Sequence, residues 1–251
     1  AHKIIKKKYP HITLSELPPF YNKPEYIEVL ATSIKQYYKE GEYLLFSYHG
    51  IPERHIYKSD VTREHCQIND ICCNTLSPAH QYCYRHQCYA LTQSIANTLQ
   101  LPQGSYGTSF QSRLGRDPWL QPYTDATLEQ LAQKGVKKLA IVTPAFVADC
   151  LETLEEIAME GKETFLEHGG ESYNCIPCLN DRDDWSKTLA DWIKKWHNKC
   201  ILLKRSLYIL YKTVNNIVDK PIFQELFMLI ERDYLVGYKK ILIFAPCKKP
   251  N

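Results

Sequence analysis

The sequence predicts an α/β fold, a mostly parallel β-sheet flanked by helices on both faces in three layers. Three observations carry this. Apolar runs of strand length recur along the chain, the clearest being "YLLFS" at 43–47 and "KKLAIVTP" at 137–144. Segments with apolar residues at helical spacing lie between them. Strands and helices that alternate in this way favour a parallel sheet covered on both sides. In such sheets ligand sites form outside the carboxyl ends of the strands. The residues just past each strand are therefore the first candidates for chemistry.

Taken in order, "HITLSELPPF" reads as a short strand closed by Pro18 and Pro19. A helix follows from Pro24, a residue suited to a first turn, with Ile27, Leu30, Ile34 and Tyr37 at helical spacing. The strand at 43–47 then ends on Ser47, Tyr48 and His49, before a Gly-Ile-Pro turn. Residues 59–78 are irregular and bear cysteines, and "AHQYCYRHQCYALTQSIANTLQL" reads as a helix. "GSYGTSFQS" alternates as a strand, "GRDPWLQPYTD" is a proline-punctuated loop, and 126–134 is helical. After "KKLAIVTP", a single helix is expected over "DCLETLEEIAMEGKETFLEHGG", entered through Asp149 and closed by two glycines. "ESYNCIPCLND" is a strand and loop, and "DDWSKTLADWIKKW" is a helix. From about Cys200 the pattern weakens to two helices and a strand without a chemical motif.

Composition narrows the function classes. At 251 residues, 44% hydrophobic and 24% charged, the chain has the make-up of an ordinary globular protein with ample core. A net charge of +3 is too small to argue for a nucleic-acid partner, and "KIIKKK" near the start fits a solvated helix end. No apolar run approaches the roughly 20 residues of a membrane-spanning helix. The expectation is a cytoplasmic protein, with peripheral contact to an inner membrane left open. The first residue is Ala1 and no signal peptide is seen, which suggests a fragment or a processed chain.

Two groups of side chains could do chemistry at the strand ends. Glu152, Glu156 and Glu160 recur every four residues on an expected helix and share a face. They form either a solvated acidic face or a ladder for a divalent metal, whose hard character suits carboxylate oxygens. His49 is either a hydrogen-bonded structural residue or a group exchanging protons near neutral pH, with a carboxylate at the same edge as partner. Ser112, Arg113 and Trp119 add a hydroxyl, a fixed cation and aromatic surface. Together these describe a cleft for a flat, polar or anionic ligand.

"LLFSYHGIPERH", "SFQSRLGRDPWLQPYTD" and "TPAFVADCLETLEEI…FLEHGGESYNCIPCLND" occur in this order. Over about residues 10–196 they resemble ferrochelatase, which inserts ferrous iron into a porphyrin at the end of haem synthesis. The resemblance implies a chelatase-like, Rossmann-like three-layer fold and a lyase activity. By motif it makes His49 and Glu152 the catalytic pair. It makes His49, Glu152, Glu156 and Glu160 the handlers of Fe2+ as substrate, and Tyr48, Ser112, Arg113 and Trp119 porphyrin contacts. Pyrrole protons must leave as the metal enters a distorted macrocycle, strain that remote binding energy offsets. Protoporphyrin IX is the leading substrate, with coproporphyrin III or another tetrapyrrole chelation as alternatives. From another class comes an inactive tetrapyrrole-binding or iron–sulfur sensor protein. No nucleotide cofactor and no nucleic-acid partner are expected, and the oligomeric state is left open.

The resemblance also implies a further amino-terminal half supplying one wall of the porphyrin cleft, and most of that half is expected to be missing. The expected layout is a ferrochelatase-like domain at 1–199, with a cysteine-bearing insertion at 59–88, and an unassigned extension at 200–251. Cys66, Cys72, Cys73, Cys83 and Cys88 crowd the insertion, where some bacterial members of the family look similar in carrying a [2Fe–2S] cluster. Two readings stand beside the cluster: zinc, with His65, His80 or His86 as mixed ligands, and plain reduced thiols.

Overall fold

In a computed structural model of the chain, residues 2–10, 18–69 and 71–196 are described. The chain divides into two compact units, Pro19–Ala190 and a second made of Ala1–Pro18 with Asp191–Asn251. In the second unit the described residues include α1 (His2–Lys8), whose last turn carries Lys6, Lys7 and Lys8. Cations there suit the negative end of the helix dipole. The strand expected in "HITLSEL" and the elements expected after 200 lie outside the described residues.

The larger unit runs α2 (Pro24–Tyr37), β1 (Tyr43–His49), α3 (Glu53–Ser59), a 3-10 turn (Pro78–Gln81), α4 (Tyr84–Thr98), β2 (Tyr106–Gln111), α5 (Thr124–Gln133), β3 (Lys138–Val142), a π-helix (Glu152–Glu160), α6 (Gly161–Glu167) and β4 (Ser172–Cys175). A further helix begins at 183. The strands form one parallel sheet in the order β2-β1-β3-β4. The helices α2 and α4 pack together, as do α5 and α6, and the two pairs cover opposite faces. The three-layer α/β expectation holds.

Strand β1 is central, so both of its faces are buried and its five inner residues are all in the core. It extends two residues beyond the expected end. The ladder with β2 continues through Ser47, Tyr48 and His49, the last paired with Gln111. The hydroxyls can stay in the ladder because they find partners: Ser47 Oγ donates to Gln111 Oε1 at 2.8 Å, and Ser47 and Ser109 each bond Thr124 Oγ1, while Gln111 Nε2 is left without a partner among the described residues. Pro24 opens α2 as expected, but the buried face is Tyr26, Val29, Leu30 and Ile34, with Tyr37 exposed. Tyr26 turns inward because its hydroxyl donates to the Pro144 carbonyl just beyond β3.

The single helix expected after β3 is two elements in one direction. Glu152–Glu160 winds as a π-helix before α6 takes over. Its residues are good α-formers, so propensity gave no hint of the wider i→i+5 turn. Tyr173 Oη donates to the Ile157 carbonyl at 2.7 Å within that turn. The double glycine ends α6 as expected: Gly169 takes a φ of 104° and Gly170 N–H returns to the Phe165 carbonyl.

Phe165, fully buried, is packed with Leu45, Leu128, Leu139, Ile141 and Ile157 under the α5–α6 face. Phe165→Ala should cost about 3–5 kcal/mol, read as a lower midpoint in denaturant unfolding. An unchanged midpoint would contradict this packing.

Candidate active site

Parallel pairing sends β1, β2 and β3 out of the sheet at one edge, and the candidate residues gather there. His49, the last residue of β1, is half-buried, with Nδ1 2.5 Å from the Gly50 carbonyl. A carbonyl oxygen only accepts, so Nδ1 carries the hydrogen and the neutral ring keeps its lone pair on Nε2. The His49 carbonyl accepts from Tyr84 Oη at 2.9 Å, and the Phe146 ring lies 6.0 Å from the imidazole. The next residue has to be glycine. A Cβ at Gly50 would stand 2.9 Å from the Gln111 carbonyl and 3.2 Å from that of Ser112. Gly50 N–H instead donates to Gln111 O at 2.6 Å, closing the end of β1 onto the end of β2.

Glu152 opens the π-helix on the connection that leaves β3. Its carboxyl is held below the usual range, first by a hydrogen bond from the Cys150 thiol, then by its own backbone N–H and, when the imidazole is protonated, by the charge on His49. An ionised carboxylate thus lies within electrostatic reach of an imidazole with an open nitrogen. Ser112, just past β2 in a left-handed conformation with φ of 61°, donates to Glu156 Oε2 at 2.6 Å. That bond ties the β2 loop to the π-helix.

Beside this bond lies a cavity of about 450 Å³, whose walls include Gln111, Ser112, Arg113, Trp119, Glu156 and Glu160. Five of the sequence candidates therefore share one cavity. Its wall includes Gly50 but neither His49 nor Glu152. Arg113 is exposed on the rim, ion-paired with Asp125 at 2.9 Å and lying over the Tyr123 ring. An exposed pair of this kind is worth little in stability. Trp119 anchors the same loop, with Nε1 donating to the Leu114 carbonyl.

Tyr48 is a correction. Strand alternation turns it away from the His49 face, leaving it 2% exposed, with its hydroxyl hydrogen-bonded to Thr92 at 2.9 Å. It forms the inner wall of a smaller apolar hollow of about 210 Å³, shared with Phe20, Tyr26, Tyr84 and Val147, and is not open ligand surface.

The cysteine segment splits four to one. Cys83 is the N-cap of α4, and its thiol is pulled down to about 6, first by a hydrogen bond from Cys73 and then by the backbone N–H of His86, the Cys66 thiol and the backbone N–H of Arg85. Burial and the Cys83 charge push Cys66 up to about 12. Cys73 also touches Cys72, so the contacts run Cys66–Cys83–Cys73–Cys72. Arg85, itself buried, donates from Nη1 to Cys73 Sγ at 3.3 Å, Cys72 Sγ at 3.7 Å and the Asn69 carbonyl. Its Nε has no partner among the described residues. Cys88 is buried against Tyr84 on the wall of the apolar hollow, apart from this chain of contacts.

His65 and His80 both direct Nε2 at the Cys72 carbonyl, and the His80 and His86 rings stack 3.6 Å apart. These rings brace the backbone at Cys72 and Cys73. Among the described residues no three His, Cys, Asp or Glu side chains are grouped so as to hold a metal ion. No helix among them is long and apolar enough to cross a membrane.

Three residues escaped the sequence reading in these roles: Cys150, Gln111 and Arg85. Cys150 stood beside the expected helix entry. The other two act through partners further along the chain that no local pattern signals.

A family model described as Ferrochelatase matches residues 1–197. The chain belongs to the ferrochelatase family. It is 47% identical over 191 residues to the ferrochelatase of Opitutus terrae, covering 76% of this chain and 55% of that protein. To the ferrochelatase of Pseudomonas fluorescens it is 47% identical over 192 residues, covering 76% and 56%. To that of Ectopseudomonas mendocina it is 48% identical over 191 residues, covering 75% and 56%. The chain thus spans about half the length of the curated ferrochelatases it matches.

Proposed function

We propose that the chain forms the histidine-bearing side of a ferrochelatase active site, one that inserts Fe2+ into protoporphyrin IX to give protohaem and two protons. The observation that carries this reading is the placement of His49 and Glu152 at one sheet edge, within electrostatic reach of each other. An imidazole with an open Nε2 stands near a carboxylate held in its ionised form. The acid-lined cavity beside the Ser112–Glu156 bond supports a path for the hydrated metal, because hard cations favour carboxylate oxygen and keep bound water.

Each pyrrole N–H that gives way to an iron–nitrogen bond must lose its proton. In the proposed step Nε2 of His49 takes that proton and becomes imidazolium, stabilised by the Glu152 carboxylate. Release to water resets the ring, and two such transfers balance the entry of one Fe2+. Glu152, Glu156 and Glu160 hold the incoming metal, with His49 Nε2 open to it until it passes to the ring and the pyrrole protons leave, while Ser112, Arg113 and Trp119 border the porphyrin. The second wall of the cleft belongs, in this reading, to the further half that full-length family members carry. A cytoplasmic site of action, with peripheral membrane contact for delivery of an apolar product, is part of the same reading.

A second reading concerns Cys66, Cys72, Cys73 and Cys83, for which we infer a [2Fe–2S] cluster rather than a single ion. The thiol contacts, the N-terminus of α4 and a buried guanidinium with an unpartnered Nε all favour an anionic sulfur-bound group. When bound, the cluster would supply a redox-sensitive brace. Cys88 is not in this ligand set.

Two outcomes check these readings on the full-length protein. His49→Ala should lower metal insertion into protoporphyrin on the order of 100-fold or more, by loss of the base, and near-normal turnover would overturn the assignment. Running proto- and coproporphyrin side by side identifies the substrate. In anaerobically purified protein, Cys83→Ser should abolish visible absorbance and acid-labile sulfide while Cys88→Ser keeps both. A colourless, iron-free wild type would sink the cluster.

A further inference from the structure

Asp149 and Asn180 lie on different connections, the first between β3 and the π-helix and the second beyond β4, yet they bind each other twice. The Asp149 backbone N–H donates to Asn180 Oδ1 at 2.8 Å, and Asn180 Nδ2 donates to Asp149 Oδ2 at 2.6 Å. The other carboxylate oxygen of Asp149 accepts from Thr153 Oγ1 at 3.1 Å and from Cys178 N–H at 3.3 Å. Asn180 N–H reaches back to the Val147 carbonyl at 2.8 Å. Thr153 is the residue after Glu152, and its hydroxyl also accepts from the Cys150 N–H at 3.0 Å. The first turn of the π-helix has no side-chain cap of its own. Its start is fixed from outside, through Asp149, by the loop beyond β4, with the Asn180 side chain making two of the bonds and Cys178 N–H a third.

We propose that Asn180 is a positioning residue for Glu152. Its reciprocal pair with Asp149 sets where the π-helix begins, and so where the Glu152 carboxylate stands relative to His49. The inference rests on the proposed role of Glu152 in handling the metal. Asparagine fits this position on two grounds. Its backbone φ of 49° lies in the left-handed region, which asparagine tolerates better than most residues. Its side chain also offers one donor and one acceptor to a partner that presents one of each. An aspartate at 180 would keep the shape but set a second negative charge against Asp149. A glycine would keep the backbone and remove the pair. Asn180 lines neither cavity of the edge, so its effect should fall on the metal and not on the porphyrin.

The test uses full-length protein with Zn2+ as the probe, in two readouts. One is zinc insertion into protoporphyrin, with separate KM values for Zn2+ and for porphyrin; the other is Zn2+ affinity by calorimetry without porphyrin. N180D and N180G should each weaken Zn2+ binding and raise the Zn2+ KM on the order of tenfold or more, as loss of an outer partner of a metal site does, with the porphyrin KM unchanged. The exchange D149N/N180D reverses the side-chain bond, setting two donors at 149 (backbone N–H and side-chain amide) against two carboxylate acceptors at 180 with a single charge, and should return both readouts toward wild type. Circular dichroism reports whether each variant folds, and if N180D does not, N180G and the exchange decide. Wild-type behaviour in N180G would overturn the proposal, as would an exchange as weak as N180D or an equal rise in both KM values. A wild type that binds Zn2+ without inserting it would sink the chelatase reading and leave the affinity series to judge the pair. A wild type that binds no Zn2+ would sink both.

Discussion

The parallel register of β1 with β2 and β3 is the constraint on which the site depends. Because the strands run the same way, each leaves the sheet at the same edge, and residues distant in sequence are delivered to one place. The β1–β2 ladder persists to the pair His49–Gln111, which holds the imidazole at the rim. The close approach of Gly50 to the Gln111 carbonyl then brings Ser112 forward, and the Ser112–Glu156 bond fastens the π-helix to the same rim. A break in this sequence of contacts would separate the imidazole from the carboxylates without altering either.

The π-helix adds a second constraint. Such turns are uncommon and gather at functional sites. Here the wide turn carries the acidic residues along the edge: Glu152 lies near His49, while Glu156 and Glu160 line the cavity. The turn is held from three directions, by Ser112 on Glu156, by Tyr173 on the Ile157 carbonyl and by Asp149 on Thr153. None of these partners lies on the helix itself. The shape of the acidic row is therefore a tertiary property, imposed on a segment whose own preference is an ordinary α-helix.

This explains what could be read from the sequence and what could not. Strand and helix order, the Pro24 start and the glycine stop of α6 rest on local chemistry and were legible. So was the candidate pair, because a histidine ending an apolar run and a glutamate opening a helix are local signs that a parallel sheet brings to one edge. The π-turn, the burial of Tyr48 and the inward rotation of Tyr26 were not legible. The π-turn depends on its three tertiary holds, and the two tyrosine hydroxyls find buried partners far along the chain, Thr92 for Tyr48 and the Pro144 carbonyl for Tyr26. The cysteine segment was legible as a cluster but not in its division. Cys83 caps α4 from outside, whereas Cys88 lies about 1.4 turns further along, on a different side of the helix, where its thiol enters the apolar hollow.

The most direct measurement is anomalous diffraction from crystals of the full-length protein soaked in Zn2+. The account predicts a peak about 2.0–2.1 Å from His49 Nε2, with the Glu152 carboxylate on the same ion or on a water bound to it. Zinc found among the cysteines alone, with the His49–Glu152 edge empty at saturating metal, would contradict it.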